Sequence, residues 1–334
     1  MATPIEKVVI IFPENHTFDN LASEVAGSDG DLSLPLAPDI VQPDPPHDHL
    51  HWMRRDQPAP GGARRQRYGR AQLPVIYRLM DTFATCDRYF SDVAANSFPN
   101  HAFSIGADAE GEDQNPSQAH PISLVTPGLP VRLETAGKTW ANYGNGFAFK
   151  HYADSRMHAN VRAQGAFQTD ALKGLLPDVS WVYAPPHMDF HPGPIQFGSS
   201  MKASDQWLNS AVKAISAGKL ADGRPLWDHV LVFITFDDWG GWVDHVAPPV
   251  LEKLPNGEPY RYGSRVPCAV VSPFAKPKFV SHVTSSHTSL VAFIERLWAI
   301  SPSPNPAART RTTAATEKAM SDCINLNQRP LPNP

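Results

Sequence analysis

The sequence predicts an α/β protein built on a mostly parallel central sheet, and three observations predict it. The runs Lys7–Phe12 and Val230–Ile234 are near-continuous apolar stretches, as suits strands covered on both faces. Amphipathic stretches with helical period alternate with such runs. Polar side chains follow both runs directly: Glu14-Asn15 after the first, Asp237-Asp238 after the second. In α/β folds, ligands sit outside the carboxyl ends of the strands.

The elements follow in order. Lys7–Phe12 is the first strand. Leu34 to Arg67, rich in Pro, His and Arg, reads as loop. Leu73 to Phe83 carries apolar residues at 75, 76, 79, 80 and 83, one face of a helix with Pro74 in its first turn. Pro99 marks another helix start, which puts Ser97 just before a helix N-terminus, where backbone N–H groups favour phosphate. Residues 107 to 174 show no clear period. Ser180–Tyr183 reads as a strand. Ser204 to Ala217 is an amphipathic helix with Trp207, Leu208, Ala211, Val212 and Ile215 on one face and Gly218 as its stop. Val230 to Phe236 and Val266 to Val271 are strands, the second at an edge or a strand start because of Pro267. Ser289 to Ile300 is a helix capped by Thr288 or Ser289.

Composition narrows the function classes. The chain has 334 residues, 42% hydrophobic and 19% charged, enough for a sizeable core. We expect one domain over residues 1–300 and a Pro/Ala/Thr-rich tail over 301–334, packed on the surface or mobile. The net charge of −4 argues against a dedicated nucleic-acid partner. No run approaches a membrane span, so membrane-surface contact is expected to be at most transient. The start of the chain shows no signal-peptide pattern, which fits an intracellular protein or one whose export signal is missing. Cys86, Cys268 and Cys323 have neither zinc-ligand spacing nor a disulfide framework; they are expected as buried or free thiols, with one disulfide involving Cys323 left open. The arginines from Arg54 to Arg67 could attract anions but read first as a solvated loop face. Oligomeric state is not legible.

Three groups near predicted strand ends carry the chemistry. They are Glu14-Asn15, Ser97 with Asn100, and Asp237-Asp238. Adjacent carboxylates repel unless a cation or proton lies between them. One divalent metal ion held by these oxygens would lower the pKa of Ser97 and make it a nucleophile. The 14 histidines supply candidates for protonating a leaving group; His47, His151, His191, His245 and His287 are of interest.

These motifs resemble a phosphoesterase family that contains bacterial phospholipases C, plant non-specific phospholipases C and a branch of acid phosphatases. Pro13-Glu14-Asn15-His16-Thr17-Phe18-Asp19 resembles its Glu-Asn-Arg-Ser-Phe-Asp opening. Ser97-Phe98-Pro99-Asn100-His101 resembles its (Ser/Thr)-x-Pro-Asn-Arg segment. Leu176 to Trp181, His191-Pro192, Thr235 to Pro249, Gly263 to Lys276 and His287 to Glu295 match further family blocks in order. The resemblance implies an alkaline-phosphatase-like sandwich with helices on both faces of the sheet and long active-site loops. It implies that Glu14, Asn15, Ser97, Asp237 and Asp238 hold a metal and that Ser97 forms a phosphoseryl intermediate. It places His191 as leaving-group acid, with His47 and His151 on phosphate oxygens. Asp244 and His245 would brace the Asp237 loop. The substrate would be a phosphate ester, either a phospholipid or a small phosphomonoester, and the family favours export from a bacterial cell. His16 and His101 stand where the family usually has Arg, and Asp238 replaces the commoner Glu. Trp52, Trp239 and Trp242 would suit a bulky apolar leaving group if exposed, and the core otherwise. The alternative is a non-catalytic protein that binds a phosphate ligand on the same fold.

Overall fold

A computed structural model of the protein describes residues 3–57, 62–193, 198–253, 259–314 and 320–334. Eight strands form the main sheet: β1 (Lys7–Ile11), β2 (Ala84–Cys86), β3 (Trp140–Tyr143), β4 (Val161–Arg162), β5 (Val179–Val182), β6 (Val230–Thr235), β7 (Cys268–Val271) and β8 (Phe279–Ser281). Their order is β8-β2-β7-β6-β1-β5-β3-β4. Seven run in one direction and β7 runs against them.

The apolar runs form the centre because they can be covered on both faces. β1 lies between β5 and β6, with Ile11 opposite both Val182 and Ile234. Val8 to Ile11 and Val230 to Ile234 are buried. Their carboxyl ends are therefore neighbours, and the polar pairs following them emerge side by side. β7 starts just after Pro267, which leaves the ladder free of a proline, yet it is interior and not an edge strand.

Two groups of helices flank the sheet. Pro74–Thr82, Ala166–Lys173 and Met201–Ala217 pack together, and Ser97–Gly106, Leu129–Thr135, His287–Leu297 and Pro306–Ala314 form the other group. Pro74 occupies the first turn of its helix. Trp207, Leu208, Ala211, Val212 and Ile215 are all buried, and the helix stops at Gly218 as expected. A mostly parallel α/β sheet flanked by helices is the architecture the sequence predicted.

Three local expectations are corrected. Ser97 is the first residue of its helix, with Asn96 as the cap, and does not precede it. The last long helix begins at His287, because Ser286 caps it and Ser289 reaches back to the Ser286 N–H in a capping box. The loop from Leu34 to Arg67 contains one helical turn, His49–Met53, capped by Asp48; residues 58–61 of that loop lie outside the described residues.

The tail is tied to the body at several points. Arg311 pairs with Asp108, Ile324 bridges to Ala275, and the Trp227 indole donates to the Leu331 carbonyl at 3.0 Å. Cys86, Cys268 and Cys323 are free and buried. Cys86 Sγ and Cys323 Sγ are 3.6 Å apart.

Candidate active site

The two central strands deliver the first donors. Glu14 is held by its N–H, which donates to the Asp189 carbonyl at 2.9 Å. Asn15 adopts φ +64°, a left-handed conformation that asparagine tolerates better than most residues. That turn aims its N–H at Asp237 Oδ1, 2.7 Å away. Asp238 Oδ1 accepts the Gly240 N–H at 2.7 Å. Asp237 and Asp238 are fully buried.

Ser97 arrives from the third direction. Its Oγ donates to Glu14 Oε2 at 3.1 Å and lies 3.4 Å from Asp238 Oδ2. Asn100, one turn on, does not join the carboxylates. Its Oδ1 accepts the Val93 N–H at 3.0 Å, and its Nδ2 donates to the carbonyls of Val93 and Asn96, both at 3.2 Å. The amide therefore holds the loop that leads into Ser97.

The histidines divide. His47 Nδ1 faces the Pro45 carbonyl at 2.7 Å and its Nε2 lies 3.4 Å from Asn15 Nδ2. The His191 ring is 6.3 Å from that of His47, with its Nδ1 on the Pro192 carbonyl. Both therefore border the cradle. His151 stands apart: its Nδ1 faces the Ile122 carbonyl at 3.3 Å and its ring meets Phe98 edge-on. Neither contact reaches the carboxylates.

The electrostatics are those of a crowded anionic pocket. Burial and the charge of Asp237 push the Glu14 carboxyl up from its usual range. The same causes push Asp238 up further. Burial also opposes ionisation of Asp237, but His101, the Asn15 N–H and Ser97 outweigh it and hold its carboxyl low. Burial works against a charged His191, yet Glu14 and Asp44 raise its pKa above the ordinary value.

The donor set fits a metal. Asn15 Oδ1 and Asp237 Oδ2 are buried without a hydrogen-bond partner, although such atoms are nearly always satisfied. One atom each from Glu14, His101 and Asp237 lie within 4.8 Å of one another. A divalent cation would satisfy the orphaned oxygens and offset three clustered carboxylates.

Sequence reasoning did not place His101 or Arg265 at the site, and it named His287 only as a candidate proton donor. His101 sits four positions after Ser97 and is fully buried, and that helical spacing was the available signal. His287 bridges Tyr89 Oη at 3.0 Å and the Asp237 carbonyl at 2.7 Å. Arg265, fully buried, binds Asp19 at 2.9 Å and Asp244 at 3.0 Å. Asp244 and His245 thus brace the Asp19 turn, and His245 Nδ1 reaches Asp19 at 2.7 Å.

The tryptophans are core. Trp52, Trp239 and Trp242 are buried, and the Trp239 indole donates to the His47 carbonyl at 2.7 Å. They form no exposed apolar rim. A cavity of about 150 Å³ beside Glu14 is lined by Phe12, Phe147, Tyr183 and Asp189. A second, of about 800 Å³, is lined by Asp44, His51, Arg54, Arg64, Arg65 and Trp239.

The chain is similar to known phosphoesterases. It is 28% identical over 316 residues to phospholipase C B of Mycobacterium tuberculosis, covering 80% of this chain and 57% of that protein. It is 28% identical over 294 residues to a non-hemolytic phospholipase C of Burkholderia pseudomallei, covering 68% and 40%. Non-specific phospholipase C4 of Arabidopsis thaliana is 24% identical over 299 residues, covering 80% and 51%. The chain thus spans about half the length of these relatives. Among solved structures, murine ectonucleotide pyrophosphatase/phosphodiesterase 5 aligns with a TM-score of 0.50 at 9% identity, covering 96% of this chain and 100% of that one. Ps i-CgsB aligns at 0.51 and 10% identity, covering 97% and 78%. These two likenesses concern the fold alone. The Phosphoesterase family model matches residues 48–301, and the chain belongs to that family.

Proposed function

We propose that the protein is a metal-dependent phosphoric ester hydrolase of the phospholipase C or acid phosphatase type. The observation that carries this reading is the convergence of Ser97 Oγ on Glu14 and Asp238, at 3.1 and 3.4 Å. Glu14, Asn15, Ser97, Asp237 and Asp238 would hold one divalent ion. Bound there, the ion supplies positive charge that lowers the serine pKa and offsets charge on the phosphoryl oxygens.

The side chains do the rest. Ser97 Oγ, ionised at its lowered pKa with its proton released to solvent, attacks phosphorus, forming the phosphoseryl ester as the bond to the leaving oxygen breaks. His191, whose pKa Glu14 and Asp44 raise against the effect of burial, gives its proton to that oxygen. It then takes a proton from the water that hydrolyses the phosphoserine. His47, beside Asn15, orients the phosphate, and Asn100 positions the loop bearing Ser97. His151 bears on the site only through Phe98. The names of the relatives favour a diester such as a phospholipid; a small phosphomonoester is the other substrate class.

Turnover of a chromogenic phosphomonoester and of a phosphocholine diester tests this, for wild type and Ser97→Ala, with and without chelator. Loss in both the variant and the chelated sample is expected. Undiminished turnover by Ser97→Ala rules out the nucleophile. Absence of turnover with every metal and substrate favours a phosphate-binding protein without catalysis.

A further inference from the structure

One buried ring sits against the oxygen cradle without a hydrogen bond. His101 follows Ser97 by one helical turn, so both side chains face the same way. Its Nε2 lies 3.4 Å from Glu14 Oε1 and 3.7 Å from Asp237 Oδ2. Neither His101 nitrogen makes a hydrogen bond, and neither does Asp237 Oδ2 or Asn15 Oδ1. His101 Nε2 and Asp237 Oδ2 are thus buried, unpaired and 3.7 Å apart, and two such atoms need an occupant.

The spacing identifies the occupant's class. Neighbouring ligands of one ion bound at about 2.0–2.2 Å are separated by roughly 3.0–3.6 Å, the lower figure for six ligands and the upper for four. A charge-assisted hydrogen bond between imidazole and carboxylate would instead close to about 2.7–2.9 Å. The observed separations match a shared cation better than a shared proton. The ring is also fixed in place. Phe12, Tyr183 and Phe147 meet it edge-on, at centroid distances of 4.7, 4.7 and 4.9 Å. Such packing limits rotation away from the carboxylates.

His16 provides the internal contrast. It is equally buried, but its nitrogens meet Asn20 Oδ1 at 2.6 Å and the Phe190 carbonyl at 3.0 Å. His16 is a structural strut with both ends engaged, whereas His101 has both nitrogens free of hydrogen bonds.

We propose that His101 ligates the divalent ion directly through Nε2, making the centre a mixed nitrogen–oxygen site that prefers a borderline transition ion over Mg²⁺ or Ca²⁺. Imidazole suits Zn²⁺ and similar ions, whereas all-oxygen sets suit Mg²⁺ and Ca²⁺. The inference rests on the metal-dependent reading above and adds the ligand that sets ion choice.

The test is metal binding, read without substrate. Zn²⁺, Co²⁺ and Mg²⁺ are titrated into the full chain by calorimetry, for wild type, His101→Phe and His101→Ala. Wild type should prefer Zn²⁺ or Co²⁺ to Mg²⁺. His101→Phe should lose about tenfold or more in Zn²⁺ affinity and shift the visible spectrum of the Co²⁺ form. Added imidazole should restore binding to His101→Ala. X-ray absorption of the wild-type Zn²⁺ form should show imidazole scattering, a readout that survives if a variant misfolds. A folded His101→Phe protein with unchanged Zn²⁺ affinity and an unchanged Co²⁺ spectrum overturns the proposal. So does wild-type Zn²⁺ bound with no imidazole scattering. If His101-dependent metal binding is found but no phosphate ester turns over, the ligand assignment stands and the hydrolase reading fails.

Discussion

The Asn15 N–H donates to Asp237 Oδ1 at 2.7 Å, joining the carboxyl ends of β1 and β6 across the centre of the sheet. This bond turns two parallel strand ends into one cradle. It requires the Asn15 backbone at φ +64°, and it leaves Asp237 Oδ2 facing the interior of the site. Ser97 is then brought in by a helix from the other side of the sequence. The reactive geometry therefore depends on backbone close to the donors as much as on the donors themselves.

Gly240 is the clearest case. A Cβ there would lie 2.0 Å from the Asn15 carbonyl oxygen, and the residue has φ +56°. Gly240→Ala should therefore displace Asn15 and cost about 2 kcal/mol or more. Urea denaturation should show a lower midpoint, and metal affinity should fall with it. A variant with wild-type stability and affinity would mean that the two strand ends are not locked together.

Arg265 holds a second junction. It is fully buried and serves Asp19 and Asp244, whose side chains are also covered. Arg265→Ala leaves Asp244 uncompensated and Asp19 with His245 alone, and should cost about 3–5 kcal/mol. Adding Asp244→Asn should recover part of that loss, because one uncompensated charge is removed. Chemical denaturation of the single and double variants reads both effects. A double variant no more stable than Arg265→Ala would show that lost packing, not charge, is the cause.

How far these features were legible follows from their range. β1 and β6 were visible because a strand covered on both faces must be apolar throughout. The proposed metal donors could be picked out because each follows such a run or a helix-start signal. His101 was passed over because burial and missing hydrogen bonds are properties of the folded site. Arg265 reaches partners near the start of the chain, and no local pattern announces a pair so distant in sequence. β3 and β4 were unreadable for another reason. Val161–Arg162 has two residues, too few to show a period, and the neighbouring helices are short.

Asn100 separates positioning from chemistry. Its three hydrogen bonds all go to Val93 and Asn96. Asn100→Ala should slacken the loop before Ser97 and lower kcat about tenfold to hundredfold, with KM little changed. Asn100→Asp keeps the bond from the Val93 N–H and should fall between wild type and alanine. Steady-state kinetics on both variants decide it. A rise in KM at unchanged kcat would instead place Asn100 on the substrate.

Asp92 should leave a signature in the pH dependence of stability. Burial pushes its carboxyl up to about 6, against hydrogen bonds from Thr288 and Ser286. The folded state therefore binds this proton more tightly than the unfolded chain, whose carboxyl titrates near about 3.9. The stability it contributes is fully present below the unfolded pKa and is lost as pH rises through about 6. Asp92→Asn removes that titration. Between pH 4 and 6 the variant should gain on wild type by up to about 1.4 kcal/mol per pH unit, apart from a constant offset from altered hydrogen bonds. Denaturation series at several pH values measure the difference. A difference independent of pH would mean that Asp92 keeps an ordinary pKa in the fold.

Metal removal should affect stability with a sign that depends on Asp238. An ion that binds only the folded chain stabilises it by about 2.7 kcal/mol at a hundredfold excess over Kd, so wild type should melt at a higher temperature with metal than with chelator. Asp238→Asn should lose most of that gain, because one donor charge is gone. In chelator the order should reverse. Asp238 is buried beside Asp237 and Glu14, and burial and their charges push its carboxyl well up. A neutral amide avoids this repulsion, and its oxygen still accepts the Gly240 N–H, as Asp238 Oδ1 does at 2.7 Å. The variant should therefore be at least as stable as chelated wild type. Thermal melts of both proteins, each with Zn²⁺ and with chelator, test the crossing. If Asp238→Asn is less stable in chelator as well, Asp238 contributes to the fold independently of any ion.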